Sequence, residues 1–213
     1  MRYLRLRLCA ERGDDVAGVT DPSAVIRANL EFRAADTRAM LSSDCVAHAV
    51  QLANEMVRAL SRGNKVVFFG NGGSSMDAGH LAAELLGRFH YDRPSLPALS
   101  LSDSTAAMTA IGNDYSYDEV FARQLRGLAR AGDVAIGLTT SGNSANVVAA
   151  LKAARELDVF AAAMTSAAGG QVADIADLCI RVPSHSTPRV QEMCMHLGHT
   201  ICEIVEQTLF PQD

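Results

Sequence analysis

The chain has 213 residues, 48% of them hydrophobic and 20% charged, with a formal net charge of −5. That length supports one sizeable core with a small extension, and the acidic balance argues against a broad nucleic-acid or membrane surface. No apolar run nears the roughly 20 residues that span a bilayer, and charges break up the first ten residues where a signal-peptide core would lie. Five cysteines (Cys9, Cys45, Cys179, Cys194, Cys202) without a C-x-x-C pair read as reduced thiols. The expectation is a cytoplasmic protein with neither a nucleic-acid nor a membrane partner.

Residues 1 to about 20 read as weakly structured, because Gly13-Asp14-Asp15 and Gly18 interrupt any periodicity. From Pro22 to Ser61 helical spacing predicts two helices. The second runs over about 44–60, with Val46, Val50, Leu52, Met56 and Leu60 as its apolar candidates, and Gly63-Asn64 stops it. Strand-like runs then appear at 65–69, 97–101, 133–138, 159–164 and 178–182. Helical stretches at about 75–87, 117–130, 144–157 and 170–176 lie between most of them, and a long helix over about 187–209 ends before Pro211. Continuous apolar strands separated by helices predict a doubly wound α/β domain: a five-stranded parallel sheet, flavodoxin-like, flanked by helices. The division expected is an N-terminal helical arm over 1–62, for packing or oligomerisation, and the α/β domain over 63–213.

Two strand-to-helix loops carry the functional signal. The first, Gly70-Asn71-Gly72-Gly73-Ser74-Ser75, is neither a Walker sequence nor G-x-G-x-x-G. Its glycines let backbone approach an anion at a helix start, with Ser74 as the expected N-cap and Asp77 in capping-box position. The second, Thr139-Thr140-Ser141-Gly142-Asn143-Ser144, supplies hydroxyl donors at the carboxyl end of another strand, where open parallel sheets bind ligands. One such loop could be a plain turn. Two favour a phosphorylated or polyhydroxylated ligand.

The helix after the first loop places Asp77, His80 and Glu84 within about 60° of one another, since i, i+3 and i+7 share a face. His80 and Glu84 at i, i+4 suit two ligands of one metal, a coupled acid–base pair, or simply a solvated charged face; Arg88 continues the stripe. The last helix is apolar over more than half its circumference, which predicts burial on several sides. Its narrow polar stripe is Glu192, His196, His199 and Glu203. Gln191 falls instead in an apolar sector, where an amide needs partners.

With these motifs in view, the sequence resembles a known family. GNGGS at 70–74, D-A-x-H-x-x-x-E at 77–84, IGNDY at 111–115, TSGNSAN at 140–146 and V-Q-E…H at 190–199 are similar to the phosphoheptose isomerases of the sugar isomerase (SIS) superfamily. The similarity runs over about 65–210. It implies an SIS fold and an aldose–ketose isomerase that converts sedoheptulose 7-phosphate to D-glycero-D-manno-heptose 7-phosphate through an enediol, opening heptose biosynthesis.

The resemblance also implies roles for particular residues. Asn71, Gly72, Gly73, Asn113 and Asp114 would contact the sugar. Thr140, Ser141 and Ser144 would hold the phosphate, with Glu84, Thr139 and Gln191 also at the substrate. His80, Glu84, Gln191 and His199 would bind one zinc ion per subunit. Glu84 and His199 would be the acid–base pair. A homotetramer with sites shared between subunits is further implied, and the apolar last helix suits it.

Two positions depart from the family pattern: Thr139 where serine is common, and Pro188 where some members carry an aspartate. A non-catalytic relative is also similar at Arg93-Pro94-Ser95-Leu96-Pro97 and at the chain end. This is the tetramer type that associates with the replication initiator DnaA, and it lacks counterparts of Glu84 and His199. Both residues are present here, which favours the enzyme.

Overall fold

A computed structural model describes residues 21–212; the expectation for residues 1–20 lies outside them. The helix α1 (Pro22–Leu41) starts where proline is pre-set for a first turn. Asp21 caps it, its Oδ1 accepting from the N–H groups of Ser23 (2.9 Å) and Ala24 (3.2 Å). Over residues 22–35, which fall in a compact unit of their own, α1 leaves Ile26, Leu30 and Phe32 more than 60% exposed.

The second compact unit, Asp36–Asp213, contains the sheet. Its elements are α2 (Cys45–Ser61), β1 (Val66–Gly70), α3 (Gly73–Leu86), β2 (Ala98–Ser100), α4 (Thr105–Asp114), a 3-10 turn (Tyr117–Glu119), α5 (Val120–Leu128), β3 (Val134–Thr139), α6 (Ala145–Glu156), β4 (Phe160–Ser166), α7 (Gln171–Ile175), β5 (Leu178–Val182) and α8 (Thr187–Leu209). The five strands are parallel in the order β2-β1-β3-β4-β5, as the sequence predicts. α2 lies in this unit too, packed on α8 and β5.

Strand alternation sorts the core into two layers. Val66, Phe68, Ile136, Leu138, Met164 and Ile180 face α2, α3 and α8. Val67, Phe69, Ala135, Ala161 and Ala163 face α5 and α6. Two expectations are corrected. The buried stripe of α2 is Cys45, Ala49, Leu52, Ala53, Met56, Ala59 and Leu60, whereas Val46 and Val50 are exposed, because they lie off the face turned to α8. The helix α4 was not predicted. It buries no residue fully and is marked only by Ser104, whose Oγ accepts from Ala107 N–H, so it lacks the apolar period that reveals a helix.

The four cysteines among the described residues are free. Burial pushes the thiols of Cys194 and Cys202 up to about 12, which keeps them protonated and inert. No described helix is long and apolar enough to cross a membrane.

Candidate active site

The strand order places β1 and β3 side by side, with β2 reached from β1 in one direction and β3 in the other. Their carboxyl ends therefore form the topological switch point at which open α/β sheets bind ligands. Both loops leave from there, since Gly70 is in register with Leu138.

The first loop differs from expectation at its cap. α3 begins at Gly73 with Gly72 as N-cap and no side-chain cap. Ser74 is buried inside the first turn, and Ser75 Oγ donates instead to Gly72 O at 2.6 Å. Asp77 closes no capping box, and its Oδ2 is buried without a hydrogen-bond partner. Burial raises the Asp77 carboxyl above its ordinary value, against the opposing pull of His80. The reason for the glycine at 73 is visible: a Cβ there would stand 2.2 Å from Gln191 Nε2. Gln191 thus rests against the first loop, and lines a small cavity with Ser74, Asp77, Thr139, Thr140 and Cys194.

The second loop gathers hydroxyls. The Oγ1 of buried Thr139 lies 3.1 Å from Ser144 Oγ and 3.4 Å from Ser141 Oγ. Thr140 belongs to the small cavity beside Gln191. The loop is anchored to the first turn of α7. Gly142 O accepts from Val172 N–H, and Asn143 Oδ1 accepts from Gln171 N–H. Gly142 has φ +69°, and a Cβ on it would lie 1.9 Å from Gly169 O, so only glycine fits.

The loops are pinned together by Asn71 and by two residues, Asn146 and Tyr117, that sequence reasoning did not single out. Asn71 Nδ2 donates to Asn146 Oδ1 at 2.8 Å, and Asn146 Nδ2 returns a bond to Asn71 Oδ1 at 2.9 Å. Tyr117 O–H donates to the same Asn71 oxygen at 3.0 Å. Asn113 and Asp114 end α4 in exposed positions, bonded to each other at 2.8 Å. Tyr117, three residues on, joins that segment to the first loop. The polar Asn146 inside TSGNSAN, only 2% exposed, was the available signal, but an isolated Asn after a turn reads as loop chemistry.

His80 and Glu84 meet as their i, i+4 spacing predicts, and His199 joins them from α8. His80 Nε2 lies 2.9 Å from Glu84 Oε1 and 3.2 Å from His199 Nε2. One ligating atom from each of the three falls within 4.8 Å of the others. Gly198 permits this meeting of α3 and α8, because a Cβ there would stand 2.7 Å from Leu81 Cδ2. Burial first, and then the neighbouring His80, lower the His199 imidazole below its ordinary value, with Glu84 opposing. It is therefore neutral at neutral pH, as a ligand or a proton acceptor requires. Two imidazole nitrogens and a carboxylate oxygen meeting at one place are a donor set that zinc accepts.

A cleft of about 560 Å³ opens at the other end of the sheet, lined by Arg58, Arg62, Asp133, Val134 and Phe160 among others. It holds none of these groups. Its polar residues are largely bonded locally, Asp133 to Lys65 and Arg155 to Asp177.

A parallel sheet with a glycine loop and a hydroxyl loop at its switch point, and an imidazole–carboxylate cluster on the helices packed beside it, has the parts that a phosphorylated sugar calls for. The SIS domain family model matches residues 37–166, more than half the chain, and the chain belongs to that family. A phosphoheptose isomerase of Aquifex aeolicus is 51% identical over 158 residues, 74% of this chain and 83% of the relative. Solved phosphoheptose isomerases from Neisseria gonorrhoeae (TM-score 0.83, 38% identity) and Francisella tularensis (TM-score 0.84, 31% identity) each cover 88% of this chain and are themselves covered completely. Within the SIS family, the chain belongs to the phosphoheptose isomerases, which are aldose–ketose isomerases.

Proposed function

We propose that the chain isomerises sedoheptulose 7-phosphate to D-glycero-D-manno-heptose 7-phosphate, with Glu84 and His199 as its acid–base pair. The observation that carries this reading is the meeting of His80, Glu84 and His199 within 4.8 Å on α3, the helix that the first loop opens, and α8, the helix that carries Gln191. Turning a ketose into an aldose moves one proton from C1 to C2 and one from O1 to O2. Glu84 takes the C1 proton. The enediol forms as the ketone oxygen gains a proton from the His199 side, and Glu84 then returns its proton to C2 while His199 recovers one from O1. The Thr139, Thr140, Ser141 and Ser144 hydroxyls, with the N-terminus of α6, receive the phosphate. Asn71, Gly72, Gly73, Asn113, Asp114 and Gln191 line the sugar chain.

His80, Glu84 and His199, joined by Gln191, hold one zinc ion in this reading, and the ion would stabilise negative charge on the substrate oxygens. The enzyme works in the cytoplasm as a homotetramer. The exposed Ile26, Leu30 and Phe32 of α1 and Val46 and Val50 of α2 support an apolar subunit interface.

Turnover of sedoheptulose 7-phosphate by the purified protein tests the reading. Glu84→Gln should lower kcat roughly 100–10,000-fold without loss of fold. Absence of turnover in the wild type, with and without added zinc, would refute it and favour the initiator-binding type. Zinc content of wild type against His80→Ala checks the metal, and light scattering of the purified protein checks the tetramer.

A further inference from the structure

The segment after α3 is tied to α8 by a buried ion pair to which none of the roles above belongs. Arg93 and Glu206 side chains are 1% and 0% exposed, with Arg93 Nε 2.9 Å from Glu206 Oε1. The Arg93 fork closes the end of α3. It donates to Glu84 O (2.8 Å), Leu85 O (2.9 Å) and Gly87 O (3.3 Å). These are carbonyls that a helix end leaves without partners, and a cation there also suits the helix dipole.

Glu206 accepts in addition from Phe89 N–H (2.8 Å) and His90 N–H (2.7 Å). Burial works against its charge, but those two bonds and Arg93 outweigh it and hold the carboxyl below its ordinary value. The Phe89 ring fixed in this way lies 6.0 Å from the His199 ring, centroid to centroid, and 4.4 Å from that of His90.

The geometry is directed at the reaction centre from both sides. Glu206 follows His199 by seven residues, two helical turns, so both project from one face of α8. Arg93 grips the backbone carbonyl of Glu84 itself. We propose that Arg93 and Glu206 are positioning residues, a clamp that fixes the Glu84 end of α3 against the His199 face of α8. The inference rests on the reading of Glu84 and His199 as the acid–base pair.

Stability alone explains the pair poorly, since a buried ion pair gains little over well-packed apolar groups. What it supplies is direction: six charge-assisted bonds of set geometry, where an error of about 1 Å between reacting groups costs about 100-fold in rate.

Lys65–Asp133, another pair with a buried carboxylate, is bonded to Asn64 and Arg130 and not to α3 or α8, and serves as control. Glu206→Gln should lower kcat roughly 10–100-fold and weaken zinc binding by a similar factor, with KM changed less than about threefold. Arg93→Lys, which keeps the charge and loses the fork, should show the same pattern more weakly and covers the case in which Glu206→Gln does not fold. Asp133→Asn should lower Tm while kcat and zinc affinity stay at wild-type values.

Wild-type kcat and zinc affinity in both clamp variants, with only Tm reduced, would overturn the proposal. Should the wild type itself neither turn over nor bind zinc, the site reading fails, and the clamp is then read from the imidazole ¹⁵N resonances of His80 and His199. Shifts in Glu206→Gln but not in Asp133→Asn support it, and unmoved resonances in both variants overturn it.

Discussion

The two loops at the sheet's carboxyl edge do similar work by opposite means. The loop at 70–75 offers backbone: Gly72 and Gly73 are exposed, and the side chain set against them, Gln191, comes from α8. The loop at 139–144 offers side chains: three hydroxyls meet over a backbone whose tightest point, Gly142, is packed on Gly169 and Gly170. A backbone wall adapts to a ligand's length, whereas a hydroxyl cluster suits a compact group with several acceptors. That division supports the proposed placing of the sugar chain on the first loop and of the phosphate on the second.

Substitutions can break or sharpen this contrast. Gly142→Ala should be the most damaging. Its Cβ would meet backbone at 1.9 Å and adopt a left-handed φ, at a combined cost of roughly 3 kcal/mol or more. Thermal denaturation should show Tm lower by roughly 10 °C, with KM raised in whatever remains folded. Gly73→Ala meets only the mobile end of Gln191, so Tm should move less than about 3 °C while kcat falls roughly tenfold. If Gly73→Ala instead unfolds the protein, the first loop is as rigid as the second and the contrast fails.

Thr139→Val removes the hydroxyl shared by Ser141 and Ser144. The loss of about 1 kcal/mol should appear as a KM about fivefold higher with little change in kcat.

Asp77 sits in the small cavity lined by both loops and gives the gentlest test. Its carboxyl is raised by burial, so the protonated form suits the fold. Stability is then lost as pH rises from the unfolded value near 3.8 through the higher folded value, and the loss persists at neutrality. Asp77→Asn should raise Tm of the chelator-treated protein at pH 7 and leave it nearly unaltered below pH about 4. An unchanged slope of Tm against pH would mean that Asp77 is charged and paired in solution.

Much of this was legible in the sequence because period and spacing carry it. β5 was predicted over its observed 178–182 and α8 over its observed 187–209, since an apolar run and a long amphipathic pattern depend on no distant partner. His80 with Glu84 followed from i, i+4. The approach of His199 to them could not be read in that way. It depends on α8 lying against α3 at Gly198 and Leu81, a contact across more than a hundred residues of chain, and only the family resemblance supplied it.

Glu206 was missed for a related reason. On a helical wheel it is one more acid near the end of an exposed-looking stripe, and its burial depends on Arg93 arriving from a loop. Ser74 was misread because glycine at 72 can begin a helix without a side-chain cap.

The paired amides of Asn71 and Asn146 have a polarity that runs beyond the pair. Asn146 Oδ1 also accepts from the backbone N–H of Val147 at 2.9 Å, and a backbone donor cannot be turned round. That one bond sets which end of Asn146 is oxygen, which in turn sets Asn71, and Asn71 Oδ1 then claims the single phenolic proton of Tyr117. Tyr117 has only lone pairs left to show the site. It can receive a hydrogen from a hydroxyl but would repel a phosphate oxygen, so the start of one helix decides which kind of group Tyr117 is able to meet.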